Sequence, residues 1–112
     1  MGDYSGFNVL LARFDSVPAG FCAWRQVSQG EAELLNLGVD PEFRRKGVAS
    51  ELLNALNEAA RGEIFLEVAE PNVAAIALYQ HHGWVAVGIR RGYYDRGKIN
   101  AVVMKKSFMV KF

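Results

Sequence analysis

The sequence has 112 residues, of which 51% are hydrophobic and 22% are charged, and its formal net charge is +1. This length and composition predict one globular domain over residues 1–112 and exclude a disordered chain. The near-neutral charge argues against nucleic acid or a membrane as the main partner. Because Cys22 is the only cysteine, an intramolecular disulfide is excluded and a thiolate metal site is not expected, and no other metal site is predicted.

Targeting signals are missing from the sequence. No apolar run approaches the roughly 20 residues of a membrane-spanning helix, and the first residues, "MGDYSGF", lack the apolar core of a signal peptide. We therefore expect a cytoplasmic protein. Cys22 lies in the apolar run "AGFCAW", which favours a buried and unreactive thiol over a nucleophile.

The first third of the sequence predicts an antiparallel meander of three strands. Apolar or alternating runs at 7–14, 19–27 and 32–39 are typical of strands. The segments between them, "DSVPAG" and "SQGE", contain the Pro, Gly, Ser and Asp of turns. Connections this short join antiparallel neighbours.

Helical periodicity begins after residue 39. Apolar residues recur three or four positions apart from Val48 to Ala60, and Gly62 is expected to end this helix. The run "EIFLEVA" at 63–69 then predicts a central strand that is buried on both faces.

A second helix and two closing strands complete the pattern. The helix lies within 70–83, with Asn72 as its N-cap and Gly83 as its end. The strands are predicted at 84–91 and 100–106, around "GYYDRGKI". The order β-β-β-α-β-α-β-β predicts an α+β fold with a mixed, mostly antiparallel sheet.

The stretch "FRRKGVASELL" joins the third strand to the first helix. A helix N-terminus presents unpaired N–H groups, and the small residues Gly47 and Ala49 let an anion approach the main chain. Arg44, Arg45 and Lys46 add positive charge. The stretch is a candidate pyrophosphate loop without Walker spacing, and a solvated basic loop is the alternative.

Longer segments resemble a known family. "NLGVDPEFRRKGVASELL" resembles the acetyl-CoA-binding motif of the GNAT acetyltransferases, with Arg44, Gly47 and Ala49 in its Q/R-x-x-G-x-G/A signature. "FLEVAEPNVAAIALYQHHGW" and "IRRGYY" resemble the RimI-like subgroup, which acetylates N-terminal amines of ribosomal protein. The resemblance implies the GNAT acyl-CoA N-acyltransferase fold, an α/β/α sandwich, and acetyl-CoA as cofactor.

The resemblance also implies a coenzyme site. Pantetheine would lie in a gap between the strands at 37–39 and 64–69, and backbone amides of the loop would hold the pyrophosphate. The implied cofactor-binding residues are Leu37, Val39, Arg44, Arg45, Lys46, Gly47, Val48, Ala49, Ser50, Asn72 and Tyr79.

Direct acetyl transfer requires a neutral amine, a stabilised oxyanion and a proton for the leaving thiolate. By resemblance, Glu67 is the base, directly or through water, Tyr79 is the acid, and the Val39 N–H group binds the oxyanion. An outward-facing strand position for Glu67 and a core position for Tyr79 are the alternatives, and Glu33 is the second candidate base.

The segment "RRGYY" resembles the subgroup's acceptor loop and implies Arg90, Tyr93 and Tyr94 as substrate-binding residues. An α-amine, with a pKa near 8 against about 10.4 for lysine, is more often neutral at pH 7, which favours a peptide N-terminus as acceptor.

Two features depart from the family pattern. The segment "GKINA" stands where the subgroup usually has G-x-E-D-A, so that Lys98 and Asn100 lie near the expected acids. The sequence also lacks the usual N-terminal strand and two helices, which form one wall of the acceptor groove. We therefore expect a homodimer or a partner chain to complete that groove.

Three other functions stay open at the level of sequence. These are a non-catalytic coenzyme A-binding accessory or regulatory domain, an acetyltransferase for small-molecule amines, and a structural domain with a basic loop. Coenzyme A binding separates the last from the others, and turnover with a panel of amines separates the enzymes from the accessory domain.

Overall fold

The computed structural model describes residues 6–106, in two compact units that meet in sequence between Gly62 and Glu63. Most of the segment on which the absence of a signal peptide rests, residues 1–5, lies outside the described residues. The main elements are β1 (Phe7–Phe14), β2 (Val17–Ser28), β3 (Glu31–Val39), α1 (Val48–Ala59), β4 (Glu63–Ala69), α2 (Val73–His81), β5 (Val85–Tyr94) and β6 (Ile99–Lys106).

This order of strands and helices is the one that the sequence predicts, and it gives the α+β class. Short 3₁₀ turns lie at Pro41–Phe43 and Asp95–Gly97. Across the part of the chain that is described, neither α-helix has the length and hydrophobicity that crossing a membrane requires.

The first unit contains the predicted antiparallel meander of β1, β2 and β3. Gly20 on β2 lets α1 approach closely, because an added Cβ would lie 2.9 Å from the Val48 side chain and 2.7 Å from the Gly38 carbonyl oxygen. The first turn of α1 therefore lies against the strand ends. The buried residues of α1 recur at helical spacing: Val48, Leu52, Leu53 and Leu56.

The first hairpin turn is tighter than predicted. Val17 and Pro18 belong to β2, where they pair with Phe14 and Arg13. The turn is reduced to Asp15 and Ser16, whose φ angles are 49° and 68°. Two consecutive positive φ angles are typical of type I′ turns, whose twist matches that of antiparallel strands.

Gly62 does not end α1 in the predicted way. The C-cap is Ala60, in an extended conformation, and Gly62 follows two residues later with a φ of 78°. An added Cβ at Gly62 would lie 2.2 Å from the Gly30 carbonyl oxygen, so close approach to the β2–β3 turn requires the glycine. Gln26 stabilises the same region. Its side-chain oxygen accepts the N–H group of Arg61, and its NH₂ group donates to the Arg61 carbonyl.

In the second unit, β6 lies between β4 and β5 and pairs antiparallel with both. The prediction that β4 is buried on both faces was wrong. One face of β4 is buried through Ile64, Leu66 and Val68. The opposite face is only half-buried and carries Glu63 and Glu67, which form ion pairs with Lys105 and Arg90.

The ends of α2 are as predicted. The Asn72 side chain accepts the Ala75 N–H group at 3.2 Å, which makes Asn72 the N-cap. Gly83, with a φ of 89°, follows the C-cap His82. Both signals are local in sequence, and this explains why the sequence alone places them.

Candidate active site

The main-chain groups of Leu37 and Val39 on β3, which are predicted to contact the coenzyme, point away from β2. Asp40, the residue after β3, donates its N–H group to the Ala19 carbonyl at 2.8 Å, toward β2. Main-chain groups alternate in direction along an antiparallel strand, so those of Val39 and Leu37 point to the opposite edge of β3. This is the orientation that the predicted contacts with pantetheine and with an oxyanion require.

The loop between β3 and α1 alternates in handedness. Arg45 and Gly47 have φ angles of 63° and 80°, whereas Lys46 between them keeps a negative φ. Such alternation directs successive N–H groups into one concavity and forms an anion-binding nest. A left-handed non-glycine residue is disfavoured by roughly 1–2 kcal/mol. Strain of this size is typical of functional positions, which supports Arg45 as part of a binding loop.

The N-terminus of α1 continues this concavity. Gly47 is its N-cap, and no side chain among the described residues caps it. Intrahelical bonding starts with the Glu51 N–H group, which donates to the Gly47 carbonyl at 3.0 Å. The N–H groups of Val48 and Ala49 precede that bond and lie at the positive end of the helix dipole.

Two aromatic residues that the sequence reasoning missed support the basic loop. The Lys46 ammonium lies 5.4 Å from the centre of the Phe14 ring, and the Phe14 ring lies 5.5 Å from that of Phe43. Arg44 and Arg45 are exposed beside them. The position of Phe43, directly before the basic run, is the signal that could have indicated this support.

A cavity of about 350 Å³ borders the end of β3 in the first unit. Phe21 lies over Gly38, where an added Cβ would be 2.4 Å from the ring, and Val39 forms part of the same wall. The lining is mainly apolar, so the cavity suits an apolar group beside the Val39 main chain. Its other lining residues are Leu11, Pro18, Ala19, Gly20 and Asp40.

In the second unit, four of the predicted site residues lie together. Arg90 Nη1 is 3.1 Å from Glu67 Oε1 and 3.3 Å from Oε2, and the Arg90 guanidinium lies 5.0 Å from the centre of the Tyr93 ring. The Tyr93 and Tyr94 rings meet edge to face at 4.8 Å. We refer to Glu67, Arg90, Tyr93 and Tyr94 as the Glu67 cluster.

The charges of the Glu67 cluster affect Tyr94. Burial raises the pKa of Tyr94 above its usual 10.0, and electrostatic interactions with Tyr93 and with the Glu67 carboxylate raise it further. At neutral pH the Tyr94 hydroxyl is therefore protonated and can donate a hydrogen bond. The Arg90–Glu67 pair is partly exposed, so it contributes at most about 1 kcal/mol to stability. Its main effect is to fix the direction of both side chains.

The two predicted residues of α2 have different surroundings. Asn72 uses its side-chain oxygen as the N-cap, so the NH₂ group is the end that can donate to a ligand. Tyr79 is buried, with its ring 5.7 Å from that of Trp84. This packing fits a core residue and is compatible with a general acid, so the acid role stays a prediction.

Two other residues considered from the sequence, Glu33 and Cys22, have these surroundings. Glu33, the second candidate base, forms an ion pair with Arg25 at 3.1 Å. Cys22 is buried, as predicted, and burial raises the pKa of its thiol to about 11. Within residues 6–106, no three His, Cys, Asp or Glu side chains form a group suited to a metal ion.

Comparison with known proteins identifies relatives. The model of the acetyltransferase (GNAT) family matches residues 2–84. The N-alpha-acetyltransferase RimI of Mycobacterium tuberculosis is 40% identical over 77 residues, which cover 68% of this chain and 49% of the relative. The ribosomal protein bS18-alanine N-acetyltransferase of Salmonella typhimurium is 42% identical over 85 residues, or 70% and 57% of the two chains. The chain thus spans about half the length of these curated relatives.

Solved structures confirm the predicted fold. The ribosomal-protein-S18-alanine N-acetyltransferase from Escherichia coli aligns with a TM-score of 0.80 and 29% identity, over 98% of this chain and 74% of the other. Naa50 of Arabidopsis thaliana, in complex with the bisubstrate analogue CoA-Ac-MVNAL, gives a TM-score of 0.77 and 27% identity, over 89% and 72%.

Proposed function

Because the chain belongs to the GNAT acetyltransferase family, we propose that it is an acetyl-CoA-dependent N-acetyltransferase. The amine attacks the thioester directly, the new amide bond forms as the carbon–sulfur bond breaks, and coenzyme A leaves. The observation that carries the proposal is the nest formed at Arg45 and Gly47, at the N-terminus of α1 and within the acetyl-CoA signature. The names of the relatives, which are N-acetyltransferases, agree with it.

The first unit supplies the coenzyme-binding residues of this proposal. Backbone N–H groups from Arg45 to Ala49 bind the pyrophosphate, and the side chain of Arg44 adds positive charge. The outward main-chain groups of Leu37 and Val39 bond the two amides of pantetheine, as an added strand would. The remaining proposed contacts are those of Lys46, Val48 and Ser50 in the first unit and of Asn72 and Tyr79 in the second.

Glu67 and Tyr79 carry out the proton transfers of the proposed mechanism. The ion pair with Arg90 fixes the direction of the Glu67 side chain, and the Glu67 carboxylate accepts a proton from the attacking amine, directly or through water. The N–H group of Val39 stabilises the oxyanion. Tyr79 then donates a proton to the leaving thiolate. Cys22 takes no part, because its buried thiol is protonated at neutral pH.

A peptide N-terminal α-amine is the proposed acceptor. The Salmonella and Escherichia coli relatives are named for the alanine of a ribosomal protein as acceptor, and the Arabidopsis structure contains the bisubstrate analogue CoA-Ac-MVNAL. In this chain, Arg90, Tyr93 and Tyr94 lie beside Glu67 and would contact that peptide.

An amine panel tests the proposed function. Mass spectrometry would compare a peptide with a free N-terminal alanine, the same peptide blocked at its N-terminus with an internal lysine, and small-molecule amines. We expect the free α-amine to be acetylated most efficiently. Preference for a small amine would move the chain to the alternative acceptor class. Coenzyme A binding without turnover on any amine would identify an accessory domain.

A second chain is proposed to complete the acceptor site, as a homodimer or a partner complex. In the first unit, Val9, Leu11 and Phe21 are 59%, 51% and 37% exposed on the sheet face opposite α1. Adjacent apolar side chains of this kind are usually covered by another chain. Light scattering and peptide acetylation over a dilution series would test this. A monomer with full activity at nanomolar concentration would contradict it.

A cytoplasmic location and one domain over residues 1–112 also stay predictions.

A further inference from the structure

The strand that carries the two tyrosines contains a bulge opposite Asn100. Arg90 on β5 pairs with Ala101 on β6, and Tyr94 pairs with Ile99. Three residues of β5, 91–93, therefore face the single residue Asn100. Extra residues of this kind leave main-chain groups without a ladder partner, bend the strand and redirect its side chains.

The Asn100 side chain bonds the bulge directly. Its Oδ1 atom accepts the N–H group of Gly92 at 3.0 Å, in the middle of the bulge. Its Nδ2 atom donates to Glu70 Oε1 at 3.3 Å, and its main-chain carbonyl accepts the Glu70 N–H group at 2.9 Å. Asn100 thus ties the bulge of β5 to the end of β4. Both halves of the amide are used, one as acceptor and one as donor.

Gly92 fits this arrangement for two reasons. Its φ of 62° disfavours other residues, and an added Cβ would lie 3.2 Å from Gly97 Cα. The bulge therefore packs against the Asp95–Gly97 turn on one side and is bonded by Asn100 on the other. Arg90 immediately precedes the bulge, and Tyr93 and Tyr94 emerge from it.

We propose that Asn100 is a positioning residue for the acceptor amine. By fixing the bulge at Gly92, it sets the directions of Tyr93 and Tyr94, and through the ring contact of Tyr93 that of Arg90. The inference rests on the proposed function for its kinetic consequence only. The two bonds of Asn100 also account for an amide at this position of "GKINA". An aspartate would keep the bond to Gly92, but it would lose the donor to Glu70 and place two carboxylates together.

Four variants test the proposal: Asn100→Leu, Asn100→Asp, Glu70→Gln and the Asn100→Asp/Glu70→Gln double variant. Asn100→Leu loses both side-chain bonds, and we expect about a tenfold higher KM for the peptide with little change in coenzyme A affinity. Asn100→Asp should raise KM by a smaller factor, because it keeps the bond to Gly92 and loses only the donor to Glu70. The double variant should recover most of that loss, because a Gln side chain can donate to the new carboxylate, and Glu70→Gln alone measures the effect of the removed charge.

Amide hydrogen exchange at Gly92, measured by NMR, reports on the hydrogen bond between Gly92 and Asn100 without reference to activity. Protection should be lost in Asn100→Leu and retained in Asn100→Asp. Unchanged exchange in Asn100→Leu would show that the Asn100 side chain does not protect the Gly92 N–H group. Lost protection with a wild-type KM would overturn the positioning role. If Asn100→Leu does not fold, the KM values of Asn100→Asp and of the double variant test the proposal. A double variant whose KM does not return toward the wild-type value contradicts it.

A wild-type chain that acetylates no amine would refute the proposed function, whereas exchange at Gly92 would still test the hydrogen bond to Asn100.

Discussion

Gly47 is the position at which coenzyme binding can be tested with least disturbance of the fold. Its φ is 80°, and an added Cβ would meet no atom within 4 Å. A side chain at this position therefore projects into open space at the N-terminus of α1. The remaining effect on folding is the left-handed backbone, which disfavours any L-residue by roughly 1–2 kcal/mol.

We expect Gly47→Glu to weaken coenzyme A binding by at least about 30-fold. Two unit charges about 4 Å apart repel by about 1 kcal/mol in water and by about 4 kcal/mol near a protein surface. The pyrophosphate presents two negative charges to the new carboxylate, so the penalty is about 2–8 kcal/mol. Since about 1.4 kcal/mol corresponds to a factor of ten in affinity, even the lower limit is measurable.

Calorimetric titration with coenzyme A measures the effect, and Gly47→Ala is the matched control. The alanine variant has the same backbone strain without the charge, so it should bind much more tightly than the glutamate variant. The difference should shrink as salt is added, because exposed charges are screened. Thermal unfolding of all three proteins confirms that they are folded. Wild-type affinity in Gly47→Glu would refute the phosphate site, and equal losses in both variants would attribute the effect to backbone strain.

Four further predictions concern catalysis, reactivity and stability. Tyr79→Phe should lower kcat by about 100-fold while coenzyme A affinity stays similar, whereas full turnover would return Tyr79 to a purely structural role. Glu67→Gln should lower kcat most at low pH, where less amine is neutral, and a loss independent of pH would argue against a base. With a pKa of about 11, only roughly one Cys22 thiol in a thousand is ionised at pH 8, so a disulfide reagent should react after unfolding and not before. Gly62→Ala should lower the free energy of unfolding in urea by about 2–4 kcal/mol, because the methyl group meets the Gly30 carbonyl at positive φ, whereas Gly30→Ala, which meets no atom within 4 Å, should have a much smaller effect.

Two errors of the sequence interpretation share one physical cause. A glycine after a helical pattern usually ends the helix, and this pattern predicts that role for Gly62. The observed reason is its approach to Gly30, which lies far away in sequence. Composition predicts a turn at Val17 and Pro18, but pairing with β1 places them in β2. In each case a partner distant along the chain decided the conformation.

The order of strands and helices, the two ends of α2 and the loop at the start of α1 can be predicted from the sequence. These depend on periodicity and on residues within a few positions of each other, such as Asn72 with Ala75 or Arg45 with Gly47. The sequence also identified the residues of the Glu67 cluster by resemblance. Their mutual contacts could not be read from it, because Glu67 and Arg90 lie on different strands.

The way in which those residues are held depends on the pairing of the strands. The register of β5 on β6 places three residues opposite Asn100, and only that register reveals why its side chain bonds both Gly92 and Glu70. Strand register depends on the packing and hydrogen bonding of whole strands, to which single residues contribute little in isolation. For this reason the residues of the candidate site can be predicted from the sequence, whereas their geometry follows from the pairing of distant strands.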